Sequence, residues 1–176
     1  YGMQTELATQ IITRLLTNSY ECMICIQVVG RQARVWACSQ CFALFHVTCI
    51  RTWSRAAEGA VQWRCPACQL SCTGVPAASC FCRKHAEVEF NPYQLPHSCG
   101  ELCGRRRAGD CPHPCSLVCH PGPCPPCPAL GPLRTCYCGA SSYRLRCGEK
   151  DPGKACAGPC ARPLACGSHV CAASCH

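Results

Sequence analysis

Apolar side chains at Leu7, Ile11, Ile12, Leu15 and Leu16 form one stripe at helical spacing and predict a helix within residues 3–18. Thr5 stands where an N-cap would, and Asn18-Ser19 marks a stop. That stripe is suited to packing on the segment that follows, or on chain preceding it. No comparable stripe comes later. Pro and Gly are frequent through the second half, long apolar stretches are absent there, and no run approaches the length of a membrane span. Segments of this kind bury too little surface to offset chain entropy, so folding free energy must come from elsewhere.

The source is written in the 25 cysteines among 176 residues. Such a composition belongs to a disulfide scaffold or a zinc protein. Six of the seven histidines, His46, His97, His113, His120, His169 and His176, lie in or beside cysteine clusters. A disulfide framework has no use for imidazole there, whereas zinc accepts Cys sulfur and His nitrogen alike. Several Zn²⁺ ions are the expected cofactor, in a reducing compartment, cytosol or nucleus. Each structural zinc supplies folding free energy on the order of ten kcal/mol. The opening at Tyr1 and the break at Cys175-His176 in mid-pattern suggest a piece of a longer chain. The formal charge of +8 overstates the basic character, because ligating cysteines are thiolates. What survives is local: the run Arg105-Arg106-Arg107, with Arg134, Arg144, Arg146, Lys150 and Lys154 further on, is the candidate for meeting phosphates.

Ligand order divides the chain. Residues 1–19 are the N-terminal helix. In residues 20–71, Cys22-x2-Cys25-x12-Cys38-x2-Cys41-x4-His46-x2-Cys49-x15-Cys65-x2-Cys68 reads as two interleaved zinc sites. This pattern resembles the RING and PHD cross-brace modules. The resemblance implies one zinc on Cys22, Cys25, His46 and Cys49 and another on Cys38, Cys41, Cys65 and Cys68. The C4HC3 order, the x4 gap before His46 and Trp63 two places before Cys65 look like PHD. Ile24 between the first ligands, Trp53 four places after Cys49 and Pro66 after Cys65 look like RING. In RING ubiquitin ligases, residues of those types receive a ubiquitin-conjugating enzyme, and the resemblance carries that role onto Ile24, Trp53 and Pro66. One departure is Gln69, where active RING domains usually place Arg or Lys.

Residues 72–95 read as a linker containing the start of the Cys-rich region, 96–128 as a first Cys/His-rich zinc repeat and 129–176 as a second, truncated one. The candidate ligands of the first copy are Cys80, Cys82, His97, Cys99, Cys103, Cys111, His113, Cys115, Cys119, His120, Cys124 and Cys127. Those of the second are Cys136, Cys138, Cys147, Cys156, Cys160, Cys166, His169, Cys171, Cys175 and His176. Spacing leaves open which of them share a metal. Cys72 lies off both patterns as a spare thiol, and Cys82 is followed by Arg83 where the second copy has Gly139.

The signature His-x-Cys-x3-Cys-His-Pro-Gly-Pro-Cys-Pro-Pro-Cys at 113–127, after a RING-like module opening on Tyr20-Glu21-Cys22-Met23-Ile24-Cys25, resembles the nuclear X-box-binding zinc-finger transcription factors. That resemblance implies a ubiquitin ligase module joined to repeats involved in DNA binding and transcriptional repression in the nucleus. The implied partners are a ubiquitin-conjugating enzyme, a substrate protein and DNA, with no membrane and no small-molecule substrate. The expected fold is a small zinc-stabilised one with little regular secondary structure: an N-terminal helix, a cross-brace module, then tandem zinc knuckles. Four protein ligands per metal leave no position for water, and no paired carboxylates, Ser/His/Asp set or glycine-rich phosphate loop appears, so no catalytic residue is assigned. Two rival readings stand beside the ligase. One is a PHD-like histone-tail reader using Trp36, Trp53 and Trp63 as an aromatic cage, and the other is a non-catalytic zinc scaffold for protein partners.

Overall fold

The computed structural model describes residues 2–56, 62–107, 109, 111–151 and 153–176, with side chains from residue 6 onward. They form two units, one of Tyr1–Arg107 with Pro112–Pro125 and one of Ala108–Cys111 with Pro126–His176.

In the first unit, α1 spans Gly2–Leu16 and runs through Thr5, which is therefore interior to the helix and not its N-cap. Ile11 and Leu15 of its apolar stripe are buried, while Leu16 is half exposed. The helix stops at Asn18, which takes φ of 53°, with Ser19 N–H donating to the Arg14 carbonyl at 2.8 Å. Asn tolerates the left-handed region better than most residues, which suits it to that stop.

The cross-brace segment adds elements too short to be read from periodicity. Strands β1 (Val35–Ala37) and β2 (Leu44–His46) pair antiparallel, and α2 (Val47–Ala56) follows directly. A second hairpin joins β3 (Gln62–Arg64) to β4 (Ser71–Thr73). Leu44 and Phe45 from β2, Ile50 from α2 and Trp63 from β3 meet Ile11 and Leu15 of α1 in one core. Tyr20 is tied into it by the Leu44 N–H, which donates to its hydroxyl at 3.0 Å, and Arg14 lies over the Tyr20 ring.

Residues 76–125 of this unit do not stand apart from the cross-brace. Phe81, Cys80, Cys82, Cys103, Cys115 and Cys119 belong to the same core cluster. A hypothetical Cβ on Gly122, in the Pro-Gly-Pro stretch, meets Ala8 Cβ of α1 at 2.9 Å. Glycine is thus demanded there twice, by that approach and by a φ of +73°.

Among its described residues the second unit has one short hairpin, β5 (Arg134–Thr135) with β6 (Ser142–Tyr143). Across the described residues the regular structure amounts to two helices and short strands around clustered cysteines, a small zinc-stabilised fold. Among the described residues, no helix is long and apolar enough to cross a membrane.

Candidate metal centres and the apolar face beside them

The cysteines are presented by a recurring turn. In each knuckle the first Cys N–H donates forward across the turn, as in Cys22 to Gln27, Cys65 to Leu70, Cys80 to His85 and Cys136 to Ser141. The residue after the closing Cys is left-handed: Ile26, Phe42, Gln69, Arg83 and Gly139 all have φ between 59° and 81°. This reversal aims both sulfurs of a pair to one side. It also explains the departure at residue 83: Arg83 adopts the conformation that Gly139 takes without strain.

Four sets of four donors converge in the first unit. The cross-brace holds Cys22, Cys25, His46 and Cys49, and separately Cys38, Cys41, Cys65 and Cys68. Beyond it come Cys80, Cys82, Cys99 and Cys119, then Cys103, Cys115, His120 and Cys124. Within each set the ligand atoms lie within 4.8 Å of one another. Sulfur pairs stand 3.5–3.9 Å apart in Cys38–Cys68, Cys41–Cys65, Cys80–Cys82 and Cys103–Cys124. A zinc tetrahedron with Zn–S near 2.3 Å has edges of about 3.8 Å, whereas a disulfide needs about 2.05 Å. None of the 25 cysteines, all of them among the described residues, is joined in a disulfide. The donor sets fit Zn²⁺ with every position filled by protein, which is structural coordination.

Two histidines offer different nitrogens. His46 turns Nδ1 toward Cys25 at 3.3 Å and Cys49 at 3.9 Å. His120 places Nε2 3.6 Å from Cys115 while its Nδ1–H donates to the Pro121 carbonyl at 2.9 Å, fixing the tautomer that leaves Nε2 for metal. Burial lowers the His120 pKa, favouring the neutral ligand form. Burial pushes the Cys49 and Cys65 thiols up to about 11, so zinc displaces protons when it binds there. At Cys136 the Ser141 N–H draws the thiol down to about 6.

In the second unit Cys136, Cys138, Cys156 and Cys175 repeat the third set. Cys138 Sγ is 3.4 Å from Cys136 and 3.5 Å from Cys156, and its N–H donates to Cys175 as the Cys82 N–H does to Cys119. The Cys160–Ala173, Ala161–Cys171 and Cys171–Arg162 hydrogen bonds copy Cys103–Leu117, Gly104–Cys115 and Cys115–Arg105. Cys160 and Cys171 therefore occupy the register of Cys103 and Cys115, and His176 follows Cys175 as His120 follows Cys119. Cys166 meets His169 Nδ1 at 3.3 Å. Cys111, Cys127 and Cys147 gather in the same unit, with Cys147 Sγ 3.4 Å from Cys111. His113 is exposed.

His97, expected among the ligands, lies outside the four sets of its unit. Each of those is already complete, and the His97 ring is buried edge-on against Phe81 at 6.3 Å. Cys72 also stands outside them, on β4 opposite Trp63. The arginine run is divided by the fold. Arg105 donates Nε to Cys103 Sγ at 3.1 Å and Nη2 to the His120 and Gly122 carbonyls at 3.0 and 2.9 Å. Arg107 is buried and donates to the Pro125, His113 and Pro114 carbonyls. Arg106 is exposed.

Of the tryptophans, Trp63 is buried with Nε1–H donated to the Gly74 carbonyl, and Trp36 packs on it at 5.3 Å. Trp53 is instead 45% exposed on α2, held by Nε1–H donation to the Arg64 carbonyl at 2.9 Å, two residues before Pro66. Ile24 and Pro66 are partly exposed. Met23 and Ile26 of the first knuckle are 59% and 66% exposed, an apolar pair that ligand spacing alone does not single out.

Curated relatives match this chain over nearly its whole length. The chain is 49% identical over 98% of its length to a protein of Dictyostelium discoideum named transcriptional repressor NF-X1 homolog. The chain belongs to the NF-X1 family of zinc-finger proteins. It is 39% identical over 97% of its length to the Arabidopsis thaliana NF-X1-type zinc finger protein NFXL1. It is also 37% identical over 97% to the FKBP12-associated protein 1 homolog of Schizosaccharomyces pombe. The chain spans 12–16% of the length of these relatives. No family model matches it. The metal sites of this NF-X1-type chain bind Zn²⁺.

Proposed function

We propose that residues 20–71 are a RING-type module that docks a ubiquitin-conjugating enzyme, carried in a nuclear transcriptional repressor. The observation that carries this reading is the exposed Trp53 ring, fixed at its nitrogen by the strand that leads into Pro66. An aromatic ring left in solvent yet held rigid is a binding anchor with little conformational entropy to lose. Ile26 adds support: the knuckle turn leaves this apolar side chain two-thirds exposed beside the first ligand pair. Ile24, Trp53 and Pro66, with Met23 and Ile26, supply the apolar face. None of them touches the bond being made; the module restrains the charged partner and its ubiquitin for attack by a substrate lysine.

The histone-reader alternative loses its aromatic cage, because Trp63 is buried in the core with its N–H bonded. An autoubiquitination assay with a panel of conjugating enzymes tests the ligase reading. Wild type builds polyubiquitin, and Trp53→Ala and Ile24→Ala fail to while keeping their zinc. Absence of polyubiquitin from wild type and variants alike, with every conjugating enzyme, overturns it.

The name of the Dictyostelium relative, a transcriptional repressor, supports a role in repression; we place it in the nucleus and take DNA as a partner of the repeats. Arg105 and Arg107 spend their donors inside the fold, so phosphate contact falls to Arg106 and to the exposed Arg144, Arg146 and Lys150 of the second unit. Removing one side chain that neutralises a phosphate flattens the salt dependence of duplex binding by roughly 0.9 in logarithmic slope. Replacing Arg144, Arg146 and Lys150 together therefore has a larger effect than replacing Arg106. An unchanged slope leaves a protein scaffold.

A further inference from the structure

A cavity of about 330 Å³ opens in the first unit between residues 31–35, at the start of β1, and the loop 86–98. It belongs to no zinc site and lies outside the face assigned to the conjugating enzyme. Its lining residues include Arg31 and His97, which carry the two buried polar side-chain atoms in the described residues that have no hydrogen-bond partner, Arg31 Nε and His97 Nε2. His97 is more than nine-tenths buried and sits at φ 66°. A histidine held in a conformation that favours glycine, sealed from solvent and unpartnered, costs free energy that its own fold does not recover.

The remaining chemistry restricts what fits. Arg31 Nε is a donor and calls for an acceptor oxygen. Arg34 is already paired with Glu87 at 2.7 Å, and Glu89 also lines the cavity, so Arg31 and Arg34 are balanced by two carboxylates. A dianionic phosphate gains little there. Buried Val35 and partly buried Val88 and Leu95 give the walls apolar surface. The volume stands at the lower end of ligand pockets, room for one apolar side chain with its peptide group. We propose that this cavity is a peptide-binding pocket that takes one apolar residue of a partner protein and hydrogen-bonds its carbonyl or terminal carboxylate through Arg31 Nε and His97 Nε2.

The zinc-loaded 176-residue protein, labelled with ¹⁵N, tests this by titration with N-acetyl-leucinamide, N-acetyl-leucine and inorganic phosphate. The Arg31 Nε–Hε and His97 ring resonances report on the pocket directly. Both leucine probes are expected to shift them saturably and phosphate to leave them unmoved. Response to N-acetyl-leucine alone also supports the pocket and assigns it to the free carboxyl end of a partner; response to both assigns it to an internal carbonyl. Arg31→Met removes the donor at similar volume and is expected to weaken binding roughly tenfold. His97→Asn, which tolerates the left-handed backbone, serves as a second variant, and amide spectra verify that each remains folded. No shift with either leucine probe, or a shift with phosphate alone, overturns the proposal.

Discussion

The two units build their zinc knuckles with the same hydrogen bonds and differ in what they bury. In the first, Phe81 follows Cys80 into a core shared with Ile11, Leu15, Phe45, Ile50 and Trp63. At the matching position of the second, Tyr137 is 45% exposed. The buried residues of the second unit, among those described, are Cys127, Cys136, Cys160 and Cys175, all of them cysteines. The ligand frame is therefore specified by backbone turns and sulfur spacing alone. An apolar core is an addition that one unit has and the other does without. With no core to fall back on, the second unit rests on metal for its folding free energy.

Stepwise chelation breaks this comparison most directly. Limiting EDTA is expected to abolish amide-exchange protection in the second unit before the first, and excess EDTA to unfold both. Simultaneous loss would mean that the core adds nothing. The next effect in size concerns Arg105, which braces Cys103 and the loop after His120. Arg105→Met is expected to weaken zinc at that set by about 10- to 100-fold, as for other residues that support a metal ligand. Competition with a chromophoric chelator measures it, and Arg106→Ala, altering an exposed side chain, leaves zinc affinity unchanged.

Two glycines sharpen the same contrast. Gly122→Ala drives a Cβ into Ala8 of α1 at positive φ and is expected to destabilise the first unit by about 1–3 kcal/mol. Gly139→Arg, in open space, copies the first repeat's own Arg83 and costs only about 1 kcal/mol of backbone strain. Thermal melts followed by tryptophan fluorescence for the first and by amide NMR for the second separate them. The smallest effect belongs to Asp151. Hydrogen bonds from the Gly153 N–H and the Tyr143 hydroxyl, with Arg134 beside it, hold its carboxyl below the usual carboxylate range. A depressed folded value means its contribution is complete above the ordinary carboxylate pKa and is lost as pH falls through the depressed one. NMR titration is expected to place that midpoint below an ordinary aspartate, with Asp151→Asn removing only the acid-side change.

The fold class and its cofactor were legible because zinc knuckles are local: two residues between cysteines, with imidazole interspersed, leave few other structures open to the chain. Helix α1 was legible from its stripe, though not its start, because Gly2 to Gln4 give no clear apolar periodicity. The sharing of ligands in the repeats was not legible, since Cys80 and Cys82 join Cys99 and Cys119 across a loop whose path spacing does not encode. For the same reason His97 looked like a ligand: it neighbours cysteines in sequence while its ring packs edge-on against Phe81. Arg105 and Arg107 looked free because no local pattern tells that prolines and histidines nearby will turn their carbonyls toward them.

Native mass spectrometry of the protein purified without chelator tests the central claim, that thiolate and imidazole sets hold zinc in place of a conventional core. Four sets in the first unit and the all-cysteine set of Cys136, Cys138, Cys156 and Cys175 predict at least five Zn²⁺ per molecule, with Cys138→Ser removing one. A folded protein without zinc, or one whose mass shows cysteines oxidised in pairs, would contradict it.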